Sequence, residues 1–380
     1  MKFKRALLIS IIFNCLFLSG CWNYREIEQF SIVSGLAIDK SENKYILTAE
    51  IIESTGGRDA KTSTKLISSE GLTIFDALRN MIRYPGKKLY FSHTKVIIIS
   101  SETAKEGMIP VLDLINRDIE PRYTMKILIS KNIEAKKILE AKSNSEIFCY
   151  TLDDMIDAQK NLSAAPEVEV WEFINDICKE GISASLPIVT LEMINDKSTP
   201  KVEGTAVFKG DKLIGYLNGK DTKTFLFIKN KIKGGLLTKK VDIDNNSANI
   251  SLEIFGNKTK ISPKFENGKL LIDISTDTDV SIGEISGDLD FSKEEIREKI
   301  KSYFEEELEN QIKDLIKKLQ TEYDSDIFGF GSTIKIKMPS LWKEIEPKWD
   351  EIFKTVDVNV KSKINIKNTA YTSKPIKIGD

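Results

Sequence analysis

The chain has 380 residues, with 56 Lys and Arg against 57 Asp and Glu, one His, four Cys and a formal net charge of −1. Its cations are spread along the chain rather than clustered, which argues against nucleic-acid binding, where phosphate recognition needs a basic face. The length is enough for two or three domains.

Lys2, Lys4 and Arg5 open the chain, and residues 6–18 are apolar apart from Ser10 and Asn14. That run is too short for a bilayer core, which needs roughly 20 apolar residues. A charged start, a short apolar stretch and small residues at its end define an expected signal peptide over 1–20. Leu18-Ser19-Gly20-Cys21 matches the bacterial lipobox, where the cysteine thiol is alkylated with diacylglycerol before the leader is removed. Cys21 is therefore the expected lipidation site, and the chain is expected to be anchored to a membrane rather than to span it. Two acyl chains hold a protein stably where one is marginal. Loss of the leader removes three cations and no acid, taking the net charge from −1 to −4.

Cys15 leaves with the leader, so Cys149 and Cys178 remain in a compartment that permits a disulfide. Both lie beside apolar residues, which suits two buried free thiols at least as well as a bridge. Two cysteines and one histidine cannot build a structural zinc site without carboxylates. No metal or cofactor is expected.

The first strands are expected around residues 30–38 and 45–52, joined by the polar turn 39–43, with a loop at Gly56-Gly57-Arg58-Asp59. A helix starts at Thr73, with Asp76 as first-turn acid and Ile74, Leu78, Met81 and Ile82 at helical spacing, and Pro85-Gly86 stops it. The apolar run 94–99 fits a strand covered on both faces. Residues 102–116 read as helix and 123–130 as strand, which suggests an α/β layer. Residues 135–180 read as mainly helical with a break near Ala165-Pro166, and 186–194 as strand. The polar stretch 195–200 is the expected linker, dividing an N-terminal α/β region over 21–195 from a C-terminal domain over 201–380.

That domain opens with a hairpin, 205–208 and 213–216, turning on Gly210-Asp211. Further strands are expected near 225–228, 236–243, 248–255 and 269–275, forming an antiparallel sheet. Ser292 and Glu295 form an expected capping box for a helix over 293–323, about 46 Å long at 1.5 Å per residue. Its apolar face carries Ile296, Ile300, Phe304, Leu308, Ile312, Leu315 and Leu319. A glycine-bearing turn over 324–331, an aromatic segment around Trp342 and Trp349, and a last strand over 355–366 complete the reading. The fold class is α+β: an elongated, multi-domain ectodomain with mixed and antiparallel sheets and a long amphipathic helix packed on the C-terminal sheet.

Four blocks carry a family resemblance: residues 20–27 (GCWNYREI), 88–99 (KLYFSHTKVIII), 204–209 with 212–215 (GTAVFK, KLIG), and 326–331 (DIFGFG). In this order along nearly the whole mature chain, they resemble the C-subunit lipoproteins of bacterial spore germinant receptors, the Ger(x)C family. Asn23 departs from the Asp usual there. The resemblance implies a lipoprotein on the outer face of the inner membrane of dormant spores, working with membrane-embedded A and B receptor subunits. It also implies an elongated α+β ectodomain of three domains, with no established catalytic centre and with nutrient recognition attributed to the membrane partner.

The residues independently point away from an enzyme. There is no G-x-S-x-G elbow and no Walker loop. His93 reads as a surface or packed histidine rather than a base. Asp153-Asp154 read as solvated acids rather than half of a glycosidase pair. Phe328-Gly329-Phe330-Gly331 follows a helix, so it reads as a tight turn that lets two phenylalanines pack. Trp342, Trp349 and Phe353 read as core. Trp22, Tyr24 and Arg25 suit either the membrane interface or the start of the fold. The alternative function is a solute-binding lipoprotein that delivers a small ligand to a transporter, which calls for two similar lobes around a deep cleft.

Overall fold

The structure is a computed structural model, and it describes residues 3–5, 29–54, 62–117, 122–141, 147–243, 246–287, 289, 291 and 293–368. In the first sheet, β1 (Phe30–Ser41) turns at Glu42 into β2 (Lys44–Ser54), and β3 (Thr62–Gly71) pairs antiparallel outside β2. Short β4 (Lys88–Tyr90) lies parallel to the start of β1. β5 (Val96–Ser100) and β6 (Lys126–Ser130) follow parallel to β1, and β7 (Ser185–Ile194) parallel to β6. β8 (Lys197–Lys209) and β9 (Lys212–Leu217) finish the sheet as antiparallel hairpins. The resulting order is β3-β2-β1-β5-β6-β7-β8-β9.

Every residue of β5 and β6 is buried, because helices cover both faces of this parallel centre. Alternate residues of one strand therefore enter different cores. Ile97 and Ile99 pack with the helices Ile74–Met81 and Ile109–Arg117, while Val96 and Ile98 pack with Ala135–Glu140 and Phe148–Asp157.

Local signals set several boundaries. Thr73 caps its helix by accepting the Asp76 N–H, and the Asp76 carboxylate accepts the Leu72 N–H. The helix expected over 102–116 is two, Ser101–Glu106 and Ile109–Arg117, broken at Gly107 with φ 143. The strand expected near 225–228 is instead the end of the helix Gly219–Ile228. Asn218 starts that helix by accepting the Asp221 N–H at 2.8 Å, and burial on all sides conceals its period. The stretch from Asn195, read as a linker, is the turn between β7 and β8: Asn195 and Asp196 both have positive φ, and β8 begins at Lys197. The chain leaves the first sheet only after Leu217.

The second sheet has the order β10 (Leu236–Ile243), β11 (Asn246–Glu266), β12 (Lys269–Ser286), β13 (Asp357–Asn368). The β11–β12 hairpin turns on Asn267-Gly268, both at positive φ, the pairing a type I′ turn requires. β13 lies parallel to β12. The long helix runs Glu294–Lys318 and continues as a π-helical turn, Leu319–Tyr323. Ile300, Phe304, Leu308, Ile312, Leu315 and Leu319 are buried in the core of this sheet. The helix begins after Lys293, without a side-chain cap there; Ser292 lies outside the described residues.

This helix also closes the sheet's edges. Glu309 accepts the Ser362 N–H at 2.9 Å and Glu305 the Ile364 N–H at 2.8 Å, both on edge strand β13. On the other edge, Tyr303 donates to the Asp242 carbonyl and Lys239 pairs with Glu307. Unpaired edge groups template association with other chains. Glu305→Ala with Glu309→Ala should therefore lower stability by about 1–2 kcal/mol and produce concentration-dependent self-association in sedimentation velocity. A double variant that stays monomeric would remove this role.

Candidate functional site

Residues of the third and fourth sequence blocks meet at the joint between the two sheets. Ser325 donates to the Phe208 carbonyl at 2.7 Å, and the Ser183 N–H donates to the Asp326 carbonyl at 2.8 Å. Lys209 reaches Asp324 at 2.5 Å, and Lys335 pairs with Glu180 at 2.7 Å. The Tyr323 hydroxyl donates to the Tyr216 carbonyl.

Asp326 is the buried polar centre of this joint. Its carboxylate accepts the N–H groups of Gly329, Phe330 and Gly331 at 2.9, 3.1 and 2.9 Å, and the Trp349 indole N–H at 3.3 Å. It thus satisfies the opening turn of the helix Phe330–Lys337, where backbone donors lack intrahelical partners. Burial raises its pKa to about 6, against the pull of those backbone donors. Phe328 and Phe330 stack at 5.1 Å, as the sequence suggests for this turn. Trp342, Trp349 and Phe353 are buried, with the two indoles edge to face at 5.6 Å. Gly331 is required here because a Cβ would sit 2.7 Å from the Trp349 ring and 2.8 Å from the Gly181 Cα.

Two further buried carboxylates serve helices that lack caps of their own. Glu50 on β2 accepts the Phe148 and Cys149 N–H groups at 3.0 and 2.9 Å and the Ser34 hydroxyl at 2.7 Å. Burial alone would push its carboxyl up, but these bonds hold it below the ordinary value. Asp39 on β1 accepts the Ala135 and Lys136 N–H groups at 2.7 and 2.9 Å; there burial wins and the pKa is raised. Beside Glu50, burial and that charge push the Cys149 thiol well up, which makes it a poor nucleophile. Cys149 is buried, Cys178 is exposed, and both are free thiols.

The remaining sequence candidates are dispersed. His93 is exposed, its ring 5.9 Å from that of Tyr90. Asp153 bridges Lys95 and Lys126 at 3.0 Å each, while Asp154 is exposed. Lys126 is buried and also pairs with Asp157; burial would lower its pKa, but the two acids raise it. Cys21, Trp22, Tyr24, Arg25 and the loop at 56–59 lie outside the described residues. Among the described residues no group of His, Cys, Asp and Glu is placed to hold a metal ion, and no helix is long and apolar enough to cross a membrane.

Two grooves mark the first sheet. A polar one of about 1050 Å³ lies by the ends of β1 and β5, lined by Lys40, Lys44, Arg83 and Lys136 against Glu70, Glu102 and Glu134. An apolar one of about 760 Å³ runs between Ile74–Met81 and Ile109–Arg117, with Leu72 70 % and Phe75 45 % exposed at its rim. The joint itself is filled by aromatic rings. These features define an α+β protein of two packed sheets, whose buried polar groups cap helices and whose open surfaces are half-open grooves.

Comparison with known proteins gives the family. A model described as "Spore germination protein N-terminal domain" matches residues 23–191, and "Spore germination B3/ GerAC like, C-terminal" matches residues 203–370. The chain is 27% identical to spore germination protein KC of Bacillus subtilis, covering 98% of each chain. It is 28% identical to spore germination protein B3 of the same organism, over 93% of this chain and 95% of that one. Among solved structures, the GerBC protein superposes with a TM-score of 0.58 at 25% identity, covering 88% of this chain and 97% of that one. The chain belongs to the Ger(x)C family of spore germination proteins.

Of the residues named from sequence, the joint held the largest surprise. In the sequence Asp326 stands out only as the first residue of a glycine-bearing block. The available signal was an acid placed three residues ahead of a helical turn.

Proposed function

We propose that this chain is the lipid-anchored C subunit of a spore germinant receptor, held by diacylglycerol on Cys21 and binding the membrane-embedded A and B subunits through its folded domain. The observation that carries the reading is the end-to-end match to spore germination proteins, with both halves represented. The lipobox at residues 18–21 supports the anchor, and the family is one of receptor subunits rather than known enzymes. In this reading the protein works by binding. Catalysis would need an activated nucleophile with its base, whereas Cys149 is buried with a raised pKa and His93 is exposed beside Tyr90.

Solute delivery to a transporter, the competing function, calls for a cleft between two similar lobes. The two sheets here differ in strand number and order, and aromatic rings occupy their joint. Affinity purification of a tagged full-length chain from detergent-solubilised spore membranes tests the proposal. Recovery of two membrane-embedded partners in fixed ratio is expected; recovery of the chain alone from membranes that contain both would contradict it.

A further inference from the structure

The apolar groove of the first sheet leaves large apolar side chains in water. Leu72 and Phe75 line it, and exposed Ile109 precedes Pro110 on its other wall. Exposed apolar surface gathered at one place marks an interaction site more often than single scattered residues do. The two walls are stripes of two helices. Phe75 and Arg79 stand one turn apart on Ile74–Met81, while Pro110, Asp113, Leu114 and Arg117 stand at i, i+3, i+4 and i+7 on Ile109–Arg117. From Pro110 to Arg117 is about 10 Å at 1.5 Å per residue, the length of two helical turns.

The charges at the rim are unequal. Asp113 is held through both carboxylate oxygens by Arg117, at 2.8 and 2.7 Å. Asp76 is taken up by the Leu72 N–H and the Asn80 side-chain amide. Arg79 lies over the Phe75 ring, 4.7 Å from its centroid. Among the described residues neither Arg79 nor Arg83, one turn further on, pairs with a carboxylate. The sequence supplies no local acid for them, since residues 77–101 contain neither Asp nor Glu. The groove therefore offers an apolar floor with uncompensated arginine beside it.

These features select the occupant. A segment lying in the groove meets side chains of two helices and no strand edge, so it must satisfy its own backbone, as a helix does. Apolar residues at helical spacing fill such a groove, and carboxylates beside them answer the arginines. Segments of this chain do not fit. Tyr45, at the groove, pairs with Lys40, ten residues along β1 from Phe30, which is about 33 Å at 3.3 Å per residue. Residues 22–29 extend at most about 29 Å, too short to lie along it. The tail 369–380 has two lysines and one aspartate, the wrong sign for the arginines. A second copy meeting this groove through its own would set arginine against arginine.

We propose that the groove between Ile74–Met81 and Ile109–Arg117 seats an acidic amphipathic helix of a membrane partner, with Leu72 and Phe75 as the apolar contacts and Arg79 and Arg83 facing its carboxylates. This rests on the reading of the chain as a receptor subunit that works by binding, and it adds the surface and the kind of segment bound. Carboxylates on the docked helix place it outside the hydrocarbon core, where charged side chains are costly.

The test uses the tagged full-length chain in spores, with photoreactive p-benzoylphenylalanine in place of Phe75 or, as a control, of Phe255, which is exposed on the second sheet. After irradiation and purification from solubilised membranes, mass spectrometry maps the crosslinked peptides. The Phe75 position should join a partner segment whose carboxylates and large apolar residues recur at helical spacing, and the control should not join that segment. Arg79→Glu with Arg83→Glu should cut this crosslink at least tenfold, while Arg79→Lys with Arg83→Lys should retain it; equal thermal melts confirm that both variants are folded. Crosslinks to lipid, to a second copy or to a partner segment without acids overturn the proposal. Recovery of both membrane partners with no crosslink from the Phe75 position also overturns it and leaves the receptor reading intact. Recovery of the unsubstituted chain alone removes that reading and this proposal with it.

Discussion

Replacing Asp326 by alanine should lower stability by about 3–4 kcal/mol, measured by urea unfolding at pH 7. The carboxylate serves four donors at once: three backbone N–H groups and the Trp349 indole. None of the four gains water when the side chain is cut back, because the residue is 5 % exposed and enclosed by aromatic rings. Each buried donor left without a partner costs about 1–3 kcal/mol, and partial relaxation keeps the total below the sum. Asp326→Asn should cost less. It keeps one carbonyl oxygen for the backbone donors but turns an amide toward the others, and it escapes the burial of a charge.

The pH dependence follows from the same site. Burial raises this carboxyl from 3.8 to about 6. The folded state therefore holds a proton over a range where the unfolded chain has lost it, and stability falls as pH rises wherever the folded state binds more protons. The contribution is fully present below about pH 4 and is lost as pH passes through 6. The decline between those values should be flatter in Asp326→Asn than in the wild type. Equal slopes would show that Asp326 does not titrate there.

The second large effect concerns Cys21. Cys21→Ala removes the thiol that the lipobox chemistry alkylates, so acyl labelling should disappear completely. Because lipidation precedes cleavage, the leader should remain attached and the chain should gain the mass of residues 1–20. Membrane retention then falls to what the short apolar run 6–18 supports, well below that of two acyl chains at about 0.8 kcal/mol per buried methylene. Persistent acyl labelling of this variant would sink the lipobox assignment.

How much of this was legible in the sequence depended on how far apart the interacting residues lie. The long helix was readable because Ile300, Phe304, Leu308, Ile312, Leu315 and Leu319 repeat at helical spacing against one sheet. β5 was readable as an unbroken apolar run. The same kind of run misled at Phe225–Ile228, since a fully buried helix shows no period over four residues; the Asn218 and Asp221 pair was the better guide. β3 went unseen because an edge strand of Thr, Ser and Lys has little apolar alternation to display. Asn195-Asp196 suited a linker and a tight turn equally well until the pairing of Ile194 with Lys197 set the register.

The capping carboxylates were beyond local reading. Ala135–Glu140 and Phe148–Asp157 have no side-chain caps of their own, and their donors are met by Asp39 and Glu50, 96 to 99 residues away in sequence. The grooves were equally hidden, because each is lined from segments far apart in the chain. The Cys21 assignment rests wholly on sequence, since that segment lies outside the described residues.

The most direct test of the account is nutrient-triggered loss of optical density in spores, comparing wild type, a deletion of this chain and the deletion complemented in trans. The account predicts that deletion slows or abolishes the response to at least one nutrient, that complementation restores it, and that a receptor-independent trigger acts normally on all three strains. An equally impaired response to the receptor-independent trigger, or an unchanged response to every nutrient in a strain lacking other receptors of this family, would contradict a role as a receptor subunit.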